Sequence, residues 1–461
     1  MTNQGKWHFI GIGGVGMSGI AKICLEMGRP ISGSDMAESD LTRRLQALGA
    51  EIHIGHNAAY VTPDLEAVVV STAIHQDNPE LCRARELGLE IIHRGACLAK
   101  LMDQKAGVAV AGAHGKTTTS AMISLLLEKG GYDPAFLVGA FVGDLGTNGK
   151  WGQGRYMAAE ADESDGSFLK LNPLIALVTN VEDDHLDYYG TQERINDAFV
   201  EFVNHVPREG AAIVCTDDPG VRGLIPRFKA ERLLTYGTSP EAWLRGENLR
   251  LEDDRMRAEV YLEGRLLGSL SLEVFGNHNL LNALGALACG LVCGIDFSAM
   301  AEILAGFRGA HRRLEKVGQV RGVKVFDDYA HHPTELKATL AAAAMMKSER
   351  LVIVFQPHRY SRTKLLAAEF GDAFQGADSF ILLPVYSAGE APIPGVSSLL
   401  IADAVEAAGG PRPLLPVDFA QALELLKGQV RSGDLVLTLG AGNVWQLGPM
   451  LLAALEERTD L

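Results

Sequence analysis

Short apolar runs rich in β-branched residues alternate along the chain with longer stretches in which apolar positions recur at helical spacing. The clearest runs lie at residues 7–10, 67–70, 108–110, 174–178, 323–326, 351–355, 380–383 and 435–439. Strands that alternate with helices are typical of α/β folds with mostly parallel sheets. In residues 240–274, charged runs separate short alternating stretches, which we expect to form solvated strands at a sheet margin. The pattern predicts an α/β protein.

The length of the chain indicates more than one hydrophobic core. At 461 residues it exceeds a single ordinary domain, and about 150 residues per domain predicts three. Polar breaks at residues 104–107 and 315–322 each precede or enter a new strand pattern. We therefore expect domains at residues 1–105, 106–318 and 319–461.

Charge and cysteine content narrow the classes of partner. Lys and Arg number 42 against 57 Asp and Glu, which disfavours a grip on the phosphate backbone of nucleic acid. The six cysteines show no metal-binding spacing and are expected to be buried free thiols in a reducing compartment. No apolar run reaches the roughly 18 residues of a membrane helix, and residues 1–6 lead directly into a strand. We expect a cytoplasmic protein without a signal peptide or membrane insertion.

A glycine-rich loop, Gly11-Ile12-Gly13-Gly14-Val15-Gly16, directly follows the first predicted strand, and Asp35 ends the second. Glycines at these positions let backbone N–H groups approach a diphosphate at a helix N-terminus, and an acid so placed accepts a hydrogen bond from a ribose hydroxyl. The loop predicts a Rossmann-like nucleotide site but does not specify the nucleotide. Glycines that serve only tight strand-to-helix packing are the alternative.

A second, different phosphate loop follows the strand at residues 108–110. Its sequence is Gly112-Ala113-His114-Gly115-Lys116-Thr117-Thr118, and a predicted helix extends from it through Leu127. The backbone amides of such a loop wrap phosphates, the lysine reaches the β- and γ-phosphate oxygens, and the first threonine hydroxyl binds Mg²⁺. The loop is a compressed P-loop, because fewer residues than usual separate the first glycine from the Gly-Lys pair.

Acidic segments follow two further predicted strands of the central region. Residues 160–165 include Glu163, and residues 180–187 include His185. Acids at the carboxyl ends of parallel strands lie where open α/β sheets bind ligands, and ATP-linked magnesium needs such oxygen ligands. Acidic loops that only cap helices are the alternative. The histidine is a less natural magnesium ligand, because imidazole suits softer metals. A histidine that caps a helix or is hydrogen-bonded within the core is the alternative for this position.

Together these residues resemble the Mur ligase family, which joins amino acids to a cell-wall precursor carried on UDP, over essentially the whole chain. The resemblance also covers an adenine segment at residues 275–282 and Arg313, which matches an arginine near ATP. It implies an N-terminal Rossmann-like UDP-binding domain, a central P-loop ATPase domain with a mostly parallel sheet, and a C-terminal Rossmann-like α/β domain.

The resemblance also implies residue roles. The UDP-sugar-binding residues are Gly11, Gly13, Gly14, Gly16, Asp35 and Ser71. The ATP-binding residues are Gly112, Ala113, His114, Gly115, Lys116, Thr117, Thr118, His278, Asn279, Asn282, Arg313 and Asp328. Mg²⁺, for which Mn²⁺ can substitute, is held by Thr117, Glu163 and His185. The amino-acid-binding residues are Tyr329, His331, His358, Arg359 and Arg362, and the catalytic residues are Lys116, Glu163, His185, Arg359 and Arg362.

Two positions depart from the family pattern. Ala113 stands where the family usually has threonine, and the loop amides are unaffected by the change. Phe199 lies roughly where several members carry a carbamylated lysine near the metals. Members that add L-alanine also lack that lysine, so this departure favours them over the later-acting ligases.

Residues 327–335 and 355–363 are similar to segments of the alanine-adding members. Arg359 and Arg362 are three apart just beyond a predicted strand, so both guanidinium groups can clamp one carboxylate or phosphate. As bare patterns, a solvated helix start and a simple His-His-Pro turn are equally good interpretations. A further glycine loop at residues 440–443 follows the last strand, and its role is open.

The activity implied is that of an ATP-dependent acid–amino-acid ligase of peptidoglycan precursor synthesis. Its expected small-molecule substrates are UDP-N-acetylmuramate, L-alanine and ATP, and an acyl phosphate is the expected intermediate. A ligase that attaches an intact cell-wall tripeptide to the same UDP-sugar is the nearest alternative. An NAD(P)-dependent oxidoreductase or a non-catalytic nucleotide sensor is a more distant one. A monomer or homodimer is expected.

Overall fold

The structure, a computed structural model, describes residues 5–183, 185–253 and 255–457. The described residues form three sheets flanked by helices, and every predicted strand run overlaps an observed strand. The prediction of an α/β fold is therefore confirmed. Among the described helices, none combines the length and the apolar character needed to cross a lipid bilayer.

The first sheet is entirely parallel. Its strands are β1 (Lys6–Ile10), β2 (Ile31–Asp35), β3 (Glu51–Ile54), β4 (Leu65–Val70) and β5 (Glu90–His93). Its helices are α1 (Val15–Glu26), α2 (Asp40–Ala47), α3 (Pro79–Glu86) and α4 (Arg94–Met102). The strand order is β3-β2-β1-β4-β5. The order reverses direction at β1, and the carboxyl ends of strands at such a switch point border the crevice in which Rossmann-like sheets bind nucleotides.

The second sheet has ten strands in the order β15-β14-β13-β12-β11-β10-β6-β9-β7-β8. They are β6 (Ala106–Ala111), β7 (Ala135–Val142), β8 (Thr147–Lys150), β9 (Tyr156–Glu160), β10 (Ile175–Val178), β11 (Ala211–Cys215), β12 (Leu233–Gly237), β13 (Leu244–Glu252), β14 (Arg255–Leu262) and β15 (Arg265–Leu272). Its helices are α5 (Lys116–Lys129), α6 (Leu186–Tyr189), α7 (Gln192–Asn204), α8 (Pro219–Leu224), α9 (Asn277–Val292) and α10 (Phe297–Ala305). The strands β13 to β15 occupy one margin, as the charge pattern predicted. The central strands β10, β6 and β9 are parallel, so the loops after them share one edge.

The third sheet has the order β16-β17-β20-β18-β19. It contains β16 (Glu315–Val320), β17 (Val323–Asp328), β18 (Arg350–Phe355), β19 (Ser379–Leu382) and β20 (Asp434–Leu439). Its helices are α11 (Pro333–Met345), α12 (Tyr360–Leu365), α13 (Leu399–Ala407), α14 (Phe419–Gln429) and α15 (Leu447–Glu457). Only β16 pairs in antiparallel fashion among these strands.

Hydrophobic packing explains why the central strands are apolar at successive positions. In β18, Ile353 and Phe355 point into one core while Val352 and Val354 point into another on the opposite face. A parallel strand covered by helices on both faces needs apolar residues at every position.

In the central region, Phe199 of α7 is 2% exposed and packs in a core rather than facing solvent. The six cysteines are free thiols, five of them buried.

Contacts between residues group the chain into two compact units. One consists of Met1–Leu249, Ala258–Ser271 and Leu280–Phe307, and the other of Arg250–Arg257, Leu272–Asn279 and Arg308–Leu461. The first sheet and most of the second belong to the first unit, and the third sheet belongs to the second unit. The three-domain division with boundaries near residues 105 and 318 stays a prediction.

Candidate active site

The glycine loop between β1 and α1 is held against the end of β2. Gly11 has φ +75°, a conformation that glycine adopts more readily than other residues. The N–H of Gly13 donates to Oδ2 of Asp35 at 2.8 Å. A Cβ atom on Gly13 would lie 2.8 Å from the same oxygen. This close approach requires glycine, and the carboxylate of Asp35 fixes the position of the loop.

The remaining predicted UDP-sugar residues lie at the same edge of the first sheet. Gly14 is the N-cap of α1, and Gly16 lies in its first turn. Ser71 directly follows β4, which pairs with β1. The structure thus gathers the predicted residues around the N-terminus of α1, where the helix dipole and unpaired N–H groups favour an anion. Their role in binding stays a prediction.

Arg94, which sequence reasoning missed, lies over the same loop. It follows β5, and its Nη1 would be 3.2 Å from a Cβ atom on Gly16. Its Nη2 donates to Oδ2 of Asp162 at 2.5 Å. Burial raises the pKa of Asp162, but the charge of Arg94, together with hydrogen bonds from Ser164, outweighs burial and lowers that pKa to about 2. The signal available in the sequence was an arginine at the carboxyl end of a parallel strand.

The loop after β6 is shaped by two glycines with positive φ. Gly112 has φ +138° and Gly115 has φ +83°. A Cβ atom on Gly112 would lie 2.0 Å from Oγ1 of Thr179, and one on Gly115 would lie 2.5 Å from Oδ1 of Asn282. Asn282, a predicted ATP-binding residue, therefore lies against the loop, and it also accepts a hydrogen bond from Oγ1 of Thr119 at 3.2 Å.

Two residues after β10 hold the middle of this loop in place. The N–H of His114 donates to Oδ1 of Asn180 at 2.8 Å. The His114 carbonyl accepts from Oγ1 of Thr179 at 2.6 Å and from Nδ2 of Asn180 at 2.9 Å. Sequence reasoning selected neither Thr179 nor Asn180, because their partners lie on another strand connection.

Lys116 lies inside the loop and faces the end of β9. Its Nζ donates to the carbonyl oxygens of Gly112 and Ala113, and to Oε1 of Glu163 at 2.8 Å. Burial lowers the pKa of Lys116, but the charge and hydrogen bond of Glu163 outweigh burial and leave that pKa raised. The ammonium group is therefore charged at neutral pH. The next two residues, Thr117 and Thr118, are buried in the first turn of α5.

Glu163 and His185 lie side by side next to this lysine. Nε2 of His185 is 3.6 Å from Oε1 of Glu163. The Glu163 side chain is 4% exposed, and its Oε2 has no hydrogen-bond partner within the described ranges. A buried carboxylate oxygen without a donor is unfavourable, and such oxygens are the ligands that hard divalent cations take. These two residues therefore fit a metal. Asp184, in the same acidic segment, lies outside the described residues.

The predicted adenine segment leads into α9. The N–H of Asn279 donates to the Gly276 carbonyl at 3.1 Å, and its Nδ2 donates to the Phe275 carbonyl at 2.8 Å. Burial, together with the charge of Arg313, lowers the pKa of His278 to about 4. The imidazole is therefore neutral at physiological pH. Contact of these residues with ATP stays a prediction.

Asp328 has a structural task at the end of β17. Its Oδ2 accepts from the Leu314 N–H and its Oδ1 from the Ala330 N–H, each at 2.7 Å. Burial raises the pKa of this carboxyl to about 6. Because both oxygens bind backbone donors, the observed role of Asp328 is to fix the turn, and its predicted role in ATP binding stays untested.

Three of the residues predicted to bind the amino acid, Tyr329, His331 and His358, form a row of rings at the carboxyl edge of the third sheet, which we call the ring row. His331 is edge-on to Tyr329 and to His358, with ring centroids 5.5 and 5.7 Å apart. Nη1 of Arg362 lies 3.3 Å from Nδ1 of His358. Burial lowers the pKa of His358 to about 3, with further lowering by His331, Arg362 and Arg359. The neutral imidazole of His358 therefore lies beside the positive charges of Arg359 and Arg362.

Comparison with known proteins covers the whole chain. Family models match residues 6–106 as "Mur ligase family, catalytic domain", residues 110–290 as "Mur ligase middle domain" and residues 312–442 as "Mur ligase, glutamate ligase domain". The UDP-N-acetylmuramate--L-alanine ligase of Desulforamulus reducens is 48% identical over 98% of both chains. That of Pelotomaculum thermopropionicum is 48% identical over 100% of both chains.

Solved structures give the same relationship. The UDP-N-acetylmuramate-alanine ligase of Thermotoga maritima matches with a TM-score of 0.84 and 28% identity, over 98% of this chain and 99% of that one. The murein peptide ligase of Psychrobacter arcticus matches with a TM-score of 0.73, over 99% of this chain and 100% of that one. At 22% identity, this second match concerns the fold alone. With all three family models matched in consecutive order, the chain belongs to the Mur ligase family.

Proposed function

We propose that the chain is an ATP-dependent ligase that joins L-alanine to the lactyl carboxylate of UDP-N-acetylmuramate, with release of ADP and phosphate. The observation that carries the proposal is the position of Lys116 in the predicted phosphate loop, where its ammonium group donates to two loop carbonyls and to Glu163. The relatives that are 48% identical over nearly the whole chain are named for this reaction. They favour L-alanine over a tripeptide substrate and do not favour an oxidoreductase.

The chemistry begins with activation of a carboxylate. A carboxylate is a poor electrophile, because its negative charge repels an amine and an oxide would have to leave. Transfer of the γ-phosphoryl group of ATP gives an acyl phosphate and ADP. The amine of L-alanine then attacks the acyl carbon, and the tetrahedral intermediate collapses with loss of phosphate. Lys116 is placed to stabilise negative charge on the phosphoryl oxygens during the first step.

A divalent metal belongs to this proposal. Glu163 and His185 fit such an ion, because Oε2 of Glu163 is buried without a hydrogen-bond partner and His185 lies beside it. Thr117 is the predicted third ligand. We propose Mg²⁺, with Mn²⁺ able to substitute. When bound, the ion would neutralise charge on the phosphoryl group being transferred. The chain's own contribution is a rigid donor set, fixed by the bond from the Tyr189 hydroxyl to the Glu163 carbonyl at 2.7 Å.

The amino acid is proposed to bind at the ring row of the third sheet. Arg359 and Arg362 supply donors for its carboxylate, since guanidinium groups bind carboxylates in a bidentate manner. The neutral ring of His358 faces Nη1 of Arg362 with its acceptor nitrogen Nδ1, so its Nε2–H is a further donor for the substrate carboxylate. Tyr329 and His331 complete the wall of the proposed pocket.

We also propose a cytoplasmic location, with which the free thiols and the requirement for ATP agree.

The experiment that tests the proposed function is phosphate release from Mg-ATP in the presence of UDP-N-acetylmuramate. The reaction is run with L-alanine, with the intact cell-wall tripeptide and with no amino acid. Release that requires L-alanine, with a product heavier by one alanyl unit, is expected. Release only with tripeptide would assign a recycling ligase instead, and no release in any mixture would exclude both ligases. Binding of NADH without ATP turnover would revive the oxidoreductase.

Replacement of Arg94 by alanine is expected to raise KM for the UDP-sugar about 10- to 100-fold, the range of a lost hydrogen bond to a charged group. Its guanidinium lies beside Gly16 of the proposed diphosphate loop while Asp162 holds it in place. The kinetic constants for ATP and L-alanine should change little. Arg83→Ala, which removes an exposed arginine of the same sheet region, is the matched control. An unchanged KM in the Arg94 variant would remove Arg94 from the diphosphate site.

A further inference from the structure

The loop that follows β19, residues 386–390, contacts the segment that carries the proposed arginine clamp. We call it the Tyr386 loop. The N–H of Tyr386 donates to the Pro357 carbonyl and the N–H of Arg359 donates to the Tyr386 carbonyl, each at 2.8 Å. The Tyr386 ring also stacks on His358, with centroids 5.8 Å apart and planes 14° apart. Sequence reasoning selected no residue of this loop.

Glu390, the last residue of the Tyr386 loop, holds the start of α12. Its Oε2 accepts from the N–H of Ser361 at 3.0 Å, and its Oε1 accepts from the Ser361 hydroxyl at 2.6 Å. Nη1 of Arg359 lies 3.9 Å from Oε1. Since 3.9 Å exceeds hydrogen-bond length, the carboxylate orients the guanidinium group without occupying its donors.

The backbone of Arg359 makes this support necessary. Arg359 has φ +72°, which is uncommon for a residue with a side chain and persists only where the surroundings enforce it. The Tyr386 carbonyl binds its N–H, and Glu390 attracts its half-exposed side chain. Arg362, one turn along α12, depends on the same helix start. Contacts from the Tyr386 loop therefore hold Arg359 and the helix start that carries Arg362.

We propose that Glu390 is a positioning residue for the amino-acid substrate: it holds Arg359 and the first turn of α12 in the orientation that clamps the substrate carboxylate. The inference rests on the proposed function and adds a residue to it. Glu390 does not touch the substrate. Its negative charge would repel a carboxylate, but both of its oxygens are turned toward Ser361 and the nearer arginine nitrogen.

The test is Glu390→Gln, which keeps the size of the side chain and removes its charge. KM for L-alanine is expected to rise about tenfold, because the charge-assisted hydrogen bonds from Ser361 are weakened and the attraction of Arg359 is lost. The kcat value and the KM values for ATP and the UDP-sugar should stay within about twofold, because the phosphate loop is untouched. Ser361→Ala, which removes one hydrogen bond and keeps the charge, should raise KM for L-alanine about two- to threefold.

Glu369→Gln is the matched control, because Glu369 is an exposed glutamate of the same unit. Thermal unfolding of each variant is recorded beside the kinetics. If Glu390→Gln is unfolded at the assay temperature, Glu390→Asp replaces it and should show a smaller rise in KM for L-alanine. An unchanged KM for L-alanine in a folded variant overturns the inference. A fall in kcat together with similar rises in all three KM values also overturns the inference, because such a pattern indicates a general structural effect.

Failure of the inference is distinguishable from failure of the proposed function. The unsubstituted protein is assayed first, and phosphate release that does not require L-alanine counts against the proposed function. Phosphate release that requires L-alanine, combined with a normal KM in Glu390→Gln, counts against the positioning role alone.

Discussion

Replacement of Lys116 by alanine is expected to reduce the rate of ADP formation about 10³-fold, the scale of a lost stabilising group at a developing charge. The ammonium group lies among the carbonyls of Gly112 and Ala113 and is the charged partner of Glu163. The measurement is a coupled ADP assay with all three substrates saturating.

Two further variants sharpen the Lys116 experiment. Lys116→Arg keeps the charge but is expected to lose most of the activity, because a planar fork does not fit the position of a compact ammonium group. Lys129→Ala removes an exposed lysine at the far end of α5 and should retain full activity. A Lys116→Ala rate within tenfold of the unsubstituted protein would show that Lys116 does not act on the transferred phosphoryl group.

Replacement of Arg312 by alanine is expected to lower the free energy of unfolding of the second unit by about 3–5 kcal/mol, the range for one partner of a buried ion pair. The Arg312 side chain is 10% exposed and its partner Asp327 is 3% exposed. Nε donates to Asp327 at 2.8 Å, and the two terminal nitrogens donate to the carbonyls of Gly440 and Gly442. The variant leaves a buried carboxylate and two carbonyls without these donors. Chemical denaturation measures the change.

Arg412→Ala provides the comparison for Arg312. Arg412 is 87% exposed and lies 2.9 Å from Glu406 in the same unit. Removal of a surface ion pair should change the free energy of unfolding by at most about 1 kcal/mol. Both variants remove an arginine from a carboxylate, so the difference between them reports the burial of Arg312 together with its two hydrogen bonds to the carbonyls of Gly440 and Gly442. Equal effects of the two substitutions would contradict the stabilising role assigned to Arg312.

The contacts of Arg312 also explain the glycine loop at residues 440–443, whose role the sequence left open. Two carbonyls of that loop receive the guanidinium group, and the Gly440 N–H donates to the Asp328 carbonyl at 3.0 Å. The loop is thereby tied to the end of β17, next to Tyr329. Its observed role is to support the edge of the sheet that carries the ring row.

The adjacent residues Arg312 and Arg313 show where sequence reasoning ended. The family resemblance selected Arg313, whose Nη1 lies 3.6 Å from Glu335. Arg312 has φ +59°, and its side chain is buried in a different direction, toward Asp327. The sequence around two adjacent arginines does not indicate which of them is buried. The partners of Arg312 lie at Asp327 and in the loop after β20, far along the chain.

The sequence by itself determined the α/β class and the positions of the two glycine loops that we predict to bind phosphate. Hydrophobic periodicity and glycines that permit positive φ are features of a few consecutive residues, so they can be recognised from the sequence alone. Only the tertiary structure decided which side chains meet: Asp35 with Gly13, Glu163 with Lys116, Arg94 with Asp162, and Glu390 with Ser361. These pairs are 22 or more residues apart along the chain. Their contacts follow from strand order, which the packing of complete sheets and helices sets.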